Sequence, residues 1–376
     1  MNVTIIGSGF AALAAIHRLR NLDSGRRIGI TVIAPQASFT YLPSLIWIPS
    51  GLRQKEDITF SLKPFFEWMG VDWHAGSAVG VKDNGRTVIT TSGEVQNDAL
   101  LIASGGQYIR KLPGIDHTLN PCSGVSDVAE FRDRIETMPG GKVVMGFAGN
   151  PKEPTAVRGG PMFEFLFGLH TQLRRQGRLK NFDLAFFSPM AEPGKRLGPK
   201  AVKGLLHTMK KRQITTHLGH KMVGFGADYV ETEGGRIASD LTLFIPGMTG
   251  QGWFKNTGLA LSDGGFFKAD VHGRVEGGER VYVAGDAGSF PGPEWRAKQA
   301  HMAELQAVAA INNIYRELKG LPPRATFRTE LICIVDTLDS GIWVSRFKKM
   351  GLILPPLLPM HWVKILLEWK SVHPYR

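Results

Sequence analysis

The chain has 376 residues, 43% of them hydrophobic and 21% charged, which is enough apolar material for a sizeable core and more than one compact domain usually holds. Its formal net charge of +12 suits nucleic acid, an anionic membrane surface or an acidic partner, but the scattered lysines and arginines, without zinc-finger spacing or a basic heptad region, set nucleic acid aside. Two cysteines exclude a disulfide framework, no metal-ligand set is expected, no run of about 18 apolar residues offers a spanning helix, and the N-terminal segment lacks the charged n-region of a cleaved export signal.

An apolar strand over Val3–Ile6 runs into Gly7-Ser8-Gly9-Phe10-Ala11-Ala12, then a helical stretch to about Arg20 and a second strand over Ile28–Ala34. This is the opening βαβ of a doubly wound α/β sheet, with the G-x-G-x-x-G/A fingerprint in its expected setting. Gly7 permits the tight turn, Gly9 lets backbone reach a pyrophosphate, and Ala12 allows close helix–strand contact. The helix start at Phe10 and Ala11 supplies unpaired amides and a positive dipole end. The acidic residue expected to hold an adenosine ribose is replaced by Ala34-Pro35.

Further along, Leu101-Ile102-Ala103-Ser104-Gly105-Gly106 looks like the A-T-G segment of FAD proteins in the disulfide-reductase superfamily, with Ser for Thr. A strand over Lys142–Met145 and a helix over Gly159–Arg175 mark a second α/β unit. Between them, Gly146-Phe147-Ala148-Gly149-Asn150-Pro151-Lys152-Glu153-Pro154 replaces the compact phosphate turn a nicotinamide site requires. Proline removes amide donors that a pyrophosphate needs, so this unit is expected not to bind NADH. The buried strand Val281-Tyr282-Val283-Ala284 then ends in Gly285-Asp286, where such an Asp accepts a hydrogen bond from a flavin-chain hydroxyl. Three segments in this order point to FAD over NAD.

Phe39-Thr40-Tyr41-Leu42-Pro43-Ser44 through Trp47, Gly51 and Arg53, the helix start Gly160-Pro161-Met162-Phe163-Glu164-Phe165, and Cys333-Ile334-Val335-Asp336 together resemble the sulfide:quinone oxidoreductases, flavoproteins related to flavocytochrome c sulfide dehydrogenase. The resemblance runs over nearly the whole chain. It implies FAD as cofactor, sulfide or another small reductant as donor, quinone as acceptor, and peripheral attachment to the cytoplasmic side of a membrane. It also implies a redox cysteine beside the flavin, acting as a thiolate. Cys333 matches one member of the family's catalytic pair, and Cys122 matches a third family cysteine across a short gap. At the other member's position the chain carries Arg158. Cys122 and Cys333 then either form an alternative redox pair or Cys333 stands alone. Arg158 becomes an anion-binding or flavin-side residue, or a solvated one. Lys298 is expected at the start of a helix running to about Leu318, either at the flavin N1–C2=O edge or as a surface lysine. Glu164 is either a proton carrier near the flavin or an ordinary first-turn carboxylate.

After Pro322 the composition changes. Trp362, Ile365, Leu366 and Trp369 fall on one side of a helical pattern over His361–Val372, with Lys364, Glu368 and Ser371 on the other. Such a segment suits insertion into one leaflet, or packing on the chain's own core or a second copy. Phe347, Met350 and Leu354 are candidates for a quinone channel. The expected architecture is α/β: two Rossmann-like dinucleotide-binding domains, an FAD domain over 1–110 and 236–320 interrupted by a degenerate NAD-type domain over 111–235, and a C-terminal membrane and quinone segment over 321–376. The expected activity is sulfide oxidation with quinone reduction. Alternatives are a flavin-dependent quinone reductase with another donor such as NADH, and an FAD subunit that passes electrons to a cytochrome partner. The oligomeric state stays open, a homo-oligomer included.

Overall fold

A computed structural model describes every residue except Lys349. The chain opens with β1 (Asn2–Ile6), α1 (Phe10–Leu22) and β2 (Gly29–Ala34), then adds β3 (Val71–Ala75) and β4 (Ala99–Ile102). The second unit contributes β5 (Gly141–Phe147), α2 (Gly160–Arg175), β6 (Phe182–Ser188), α3 (Pro199–Lys211), β7 (Thr215–Leu218) and β8 (Leu241–Ile245). The chain then returns to the first sheet with β9 (Val281–Val283) and covers it with α4 (Ala300–Glu317). It closes with β10 (Leu331–Asp336), β11 (Gly341–Arg346), β12 (Gly351–Ile353) and α5 (Leu358–Val372).

The first sheet has the order β9-β4-β1-β2-β3, with every neighbouring pair parallel. Its central strands are continuous apolar runs because both faces are covered, one by helices and the other by the antiparallel ribbon of residues 78–96 with Phe254 and Phe267. α1 and α4 pack on one another along alanine-rich faces, with Ala11, Ala12, Ala15, Ala307 and Ala310 buried at the contact. The second sheet, β7-β6-β5-β8, is also parallel. β8 belongs to it through its pairing with β5. The second unit therefore extends past the boundary expected at 235, because a parallel partner for β5 has to come from chain that lies beyond the antiparallel ribbon of residues 222–238.

The C-terminal segment is not helical throughout. β10, β11 and β12 form an antiparallel sheet, and α5 packs across β10 and β11. The alternation in Leu331–Asp336 and Gly341–Arg346 explains the strands.

In parallel sheets the loops at the carboxyl ends of the strands form one crevice. Here that geometry collects residues from across the sequence. Gly7 follows β1, Ala34 ends β2, Ala103 to Gly105 follow β4, and Gly285-Asp286 follow β9. Gly7 has φ +111°, and a Cβ on it would sit 2.5 Å from the Ala103 carbonyl oxygen. At Gly9 a Cβ would meet nothing within 4 Å. The two glycines therefore fail differently. Gly7→Ala should cost about 1–3 kcal/mol of stability, seen as a lower thermal midpoint of the flavin-free protein. Gly9→Ala should leave that midpoint unchanged and lower the flavin retained per chain, measured from the visible absorbance of the purified protein.

Candidate active site

The cradle at the head of the first sheet fits a dinucleotide. α1 starts at Gly9 with no side chain capping it, so its first-turn amides remain free for a phosphate. The space over Gly9 and over Gly105, whose φ is +72°, is open. Two buried polar atoms facing this region have no partner in the protein, Ser104 Oγ and Gln299 Oε1. Buried polar atoms are normally paired, and FAD hydroxyls and ring atoms are groups of the right chemistry to pair them. The Phe10 ring packs on Phe39 and Tyr41 at 5.0 and 5.7 Å between ring centres. Pro43 opens the turn Leu42–Trp47, which packs against α2.

Asp286 stands at the expected strand end, and its carboxylate accepts a hydrogen bond from the guanidinium of Arg158. The same guanidinium donates to the Tyr108 hydroxyl at 3.1 Å, and that hydroxyl donates on to the Cys122 carbonyl at 3.4 Å. Arg158 is therefore a mostly buried, paired residue and not a solvated one. The Cys122 thiol is pushed up to about 11 by burial, against the pull of Arg158. Lys298 lies before α4, which starts at Ala300 with Gln299 as its cap, so it is not the first-turn residue expected from sequence. Its Nζ turns back to donate to the carbonyls of Asp286 and Gly288 at 2.9 and 2.7 Å. It also stands 3.9 Å from the Phe266 ring centre. Burial brings its ammonium down to about 8.

Cys333 is on β10 opposite the head of α2, where a Cβ on Gly160 would lie 3.9 Å from its Sγ. Both cysteines are free thiols, and they have different neighbours. Cys122 lies against Tyr108 and Arg158 and Cys333 responds to Lys364, while the charge of Glu164 raises both thiols. Glu164, in the first turns of α2, is buried. Its carboxylate accepts from the Asp336 amide at 2.8 Å and from Lys364 Nζ. Burial pushes the Glu164 carboxyl up to about 7, while Lys364 pulls it back. Beside it, His361 and Asp336 are joined at 2.7 Å. Burial, then the charge of Glu164, pushes the Cys333 thiol up to about 12.

Sequence reasoning did not find Tyr108, Asp336, His361 or Lys364. For Lys364 a signal existed, a lysine amid apolar residues on a short helix, but its buried partner is 200 residues away. Of the quinone-channel candidates, Phe347 and Met350 are exposed, and Leu354 lines a cleft beside α3.

No protein-family profile matches the chain. It is 23% identical over 360 residues to a sulfide-quinone reductase of Aquifex aeolicus (strain VF5), spanning 89% of this chain and 81% of that relative. The crystal structure of the sulfide:quinone oxidoreductase from the same hyperthermophile superposes with a TM-score of 0.89 at 20% identity, covering 99% of this chain and 92% of that one. The chain is a flavoprotein oxidoreductase related to the sulfide:quinone oxidoreductases. A NAD-dependent persulfide reductase from A. fulgidus shares the fold at a TM-score of 0.69 and 17% identity, over 93% of this chain and 65% of that one. The α/β flavoprotein architecture expected from the sequence is the one found.

The charge environment of Cys333 is testable without substrate. Above about pH 7 Glu164 is ionised and opposes thiolate formation at Cys333. In Glu164→Gln that opposition is gone, so the pH profile of Cys333 alkylation by iodoacetamide should move to lower pH. In Lys364→Met it should move to higher pH. Intact-mass spectrometry with peptide mapping reads both.

Proposed function

We propose that the chain oxidises sulfide at Cys333 and passes two electrons through FAD to a quinone taken from a membrane surface, on its cytoplasmic side. The observation that carries this reading is one buried cluster, Cys333, Glu164 and Lys364, that joins the thiol strand β10 to α5. α5 turns Lys364 and Glu368 inward and leaves Lys370 exposed. Lys364 meets Glu164, and Glu368 accepts from Arg53 Nε at 2.9 Å. Its apolar residues face out, with Trp362, Leu366 and Trp369 each about 60% exposed (63%, 61% and 60%). A surface of tryptophan and leucine on a short helix suits the interfacial region of a bilayer. No helix among the described residues is long and apolar enough to cross a membrane.

In this reading bound FAD supplies the two-electron relay between donor and acceptor. Sulfide loses two electrons and its sulfur becomes zero-valent on the Cys333 thiol, while the quinone gains those electrons and two protons. Glu164 takes the proton that leaves Cys333, so the combined charge of thiol and carboxyl is unchanged, and the ammonium of Lys364 stays beside both. The free amides of α1 and Asp286 would hold the cofactor, and Lys298, two residues before α4, would supply a cation near it. A second reading, quinone reduction with a donor other than sulfide, is favoured by one observation. Arg158, tied to Asp286, stands where the family resemblance expects a redox cysteine, and a guanidinium has no sulfur chemistry.

Anaerobic titration separates these readings. Sulfide should bleach the flavin, a short-chain quinone should restore it, and Cys333→Ser should abolish the bleaching. Bleaching by NADH alone would move the protein to the second reading. Membrane attachment is measured separately by sedimentation with phosphatidylglycerol vesicles. Replacing Trp362 and Leu366 by Glu should weaken binding by at least about 3 kcal/mol, roughly a hundredfold, without changing reduction of the flavin by sulfide.

A further inference from the structure

A second cleft lies between α3 and the C-terminal sheet. Ala201, Gly204, Leu205 and Thr208 line it from α3, at the spacing of a single helix face. Val344 and Ile353, cross-strand partners on β11 and β12, line it from the sheet. Gly204 is exposed at the mouth of the cleft, and a Cβ on it would meet no atom within 4 Å. The walls are apolar, and an apolar cleft of this kind gains most from an apolar ligand.

One end carries positive charge. Lys200 lines the cleft and is exposed. α3 contains four lysines and no acidic residue. It starts at Gly198 with no side-chain cap, so a free amide and the positive end of the helix dipole lie beside Lys200. A lysine in a first turn opposes that dipole, and a bound anion reverses the sign of the interaction. At the other side Pro355 and Pro356 border the cleft and lead into Leu357 and Leu358, exposed at 39% and 59%. The cleft is thus continuous in the chain with the outward apolar surface of α5.

We propose that this cleft holds one acyl chain of an anionic phospholipid, with the headgroup phosphate at Lys200 and the uncapped start of α3. The proposal rests on the membrane attachment given above and names the lipid and its seat. The charge decides the occupant. A quinone tail is apolar but brings no anion to Lys200, whereas a phospholipid satisfies both ends of the cleft.

The test uses the full-length, FAD-loaded protein, stripped of co-purified lipid and mixed in detergent with phosphatidylglycerol or phosphatidylcholine, then examined by native mass spectrometry. One phosphatidylglycerol should remain on each chain, and phosphatidylcholine should be lost at lower collision energy. Gly204→Leu fills the cleft and should abolish retention. Lys200→Glu should remove the preference for the anionic lipid. Thr208→Leu, which narrows the same cleft from the next turn, serves if Gly204→Leu does not fold. Equal retention of both lipids, or full retention by the filled variant, would overturn the proposal. So would a filled variant whose phosphatidylglycerol retention is unchanged while its KM for a long-tailed quinone rises, because the occupant would then be the quinone tail. Failure of the wild-type chain to sediment with phosphatidylglycerol vesicles would instead remove the membrane reading itself.

Discussion

The burial of Lys364 against Glu164 is the interaction on which the C-terminal half of the structure depends. A lysine and a glutamate removed from water each carry a large desolvation penalty, and only a close partner makes that tolerable. Here each is the other's partner, with the Asp336 amide as a further donor to the carboxylate. Lys364 and Glu368 are satisfied from inside, which leaves Lys370 as the exposed charge of α5. Its tryptophans and leucines are left on the surface by consequence. A helix with this pattern in a water-soluble enzyme would normally be reversed, apolar side in and charged side out. Two ion pairs hold it the other way round, one to α2 and one to Arg53.

That inversion also fixes the relation between thiol and surface. β10 carries Cys333, and α5 lies across β10 and β11. The same glutamate that neutralises the lysine of α5 raises the thiol of Cys333. The proton inventory of the thiol and the attachment of the helix are therefore set by one carboxylate. Such a shared group means that a change in the protonation of Glu164 is felt at Cys333 and at the root of α5 together.

The parts of the site that were legible in the sequence are those whose requirement is local backbone geometry. Gly7 has to adopt a positive φ beside the Ala103 carbonyl, and Gly9 has to leave space above a helix start, so the spacing itself carries the information. Gly285-Asp286 is legible for the same reason, as the end of a short buried strand. The pairs that organise the rest are contacts between side chains distant in the chain, Arg158 with Asp286 and Glu164 with Lys364, at separations of 128 and 200 residues. Nothing in the spacing of a single sequence encodes such a pairing. Helical periodicity separated the two sides of α5 except for Ile365, which packs on the core, but periodicity cannot say which side meets the protein. That depended on a buried carboxylate in another domain. The extent of the second unit was missed for a related reason, since β8 is defined by the strand it pairs with and not by its own pattern.

Arg158 limits the chemistry more sharply than any other residue in the cradle. A cysteine at this position would titrate and be oxidised, whereas a guanidinium stays charged throughout the accessible pH range and takes no part in sulfur exchange. Its bond to Asp286 lowers the negative charge that the carboxylate would otherwise bring to the cofactor cleft. The chain still has a thiol at the head of α2, set between the charges of Glu164 and Lys364, and Cys122 feels the same Glu164. With two cysteines in the whole sequence, any sulfur chemistry falls to these two thiols and not to position 158.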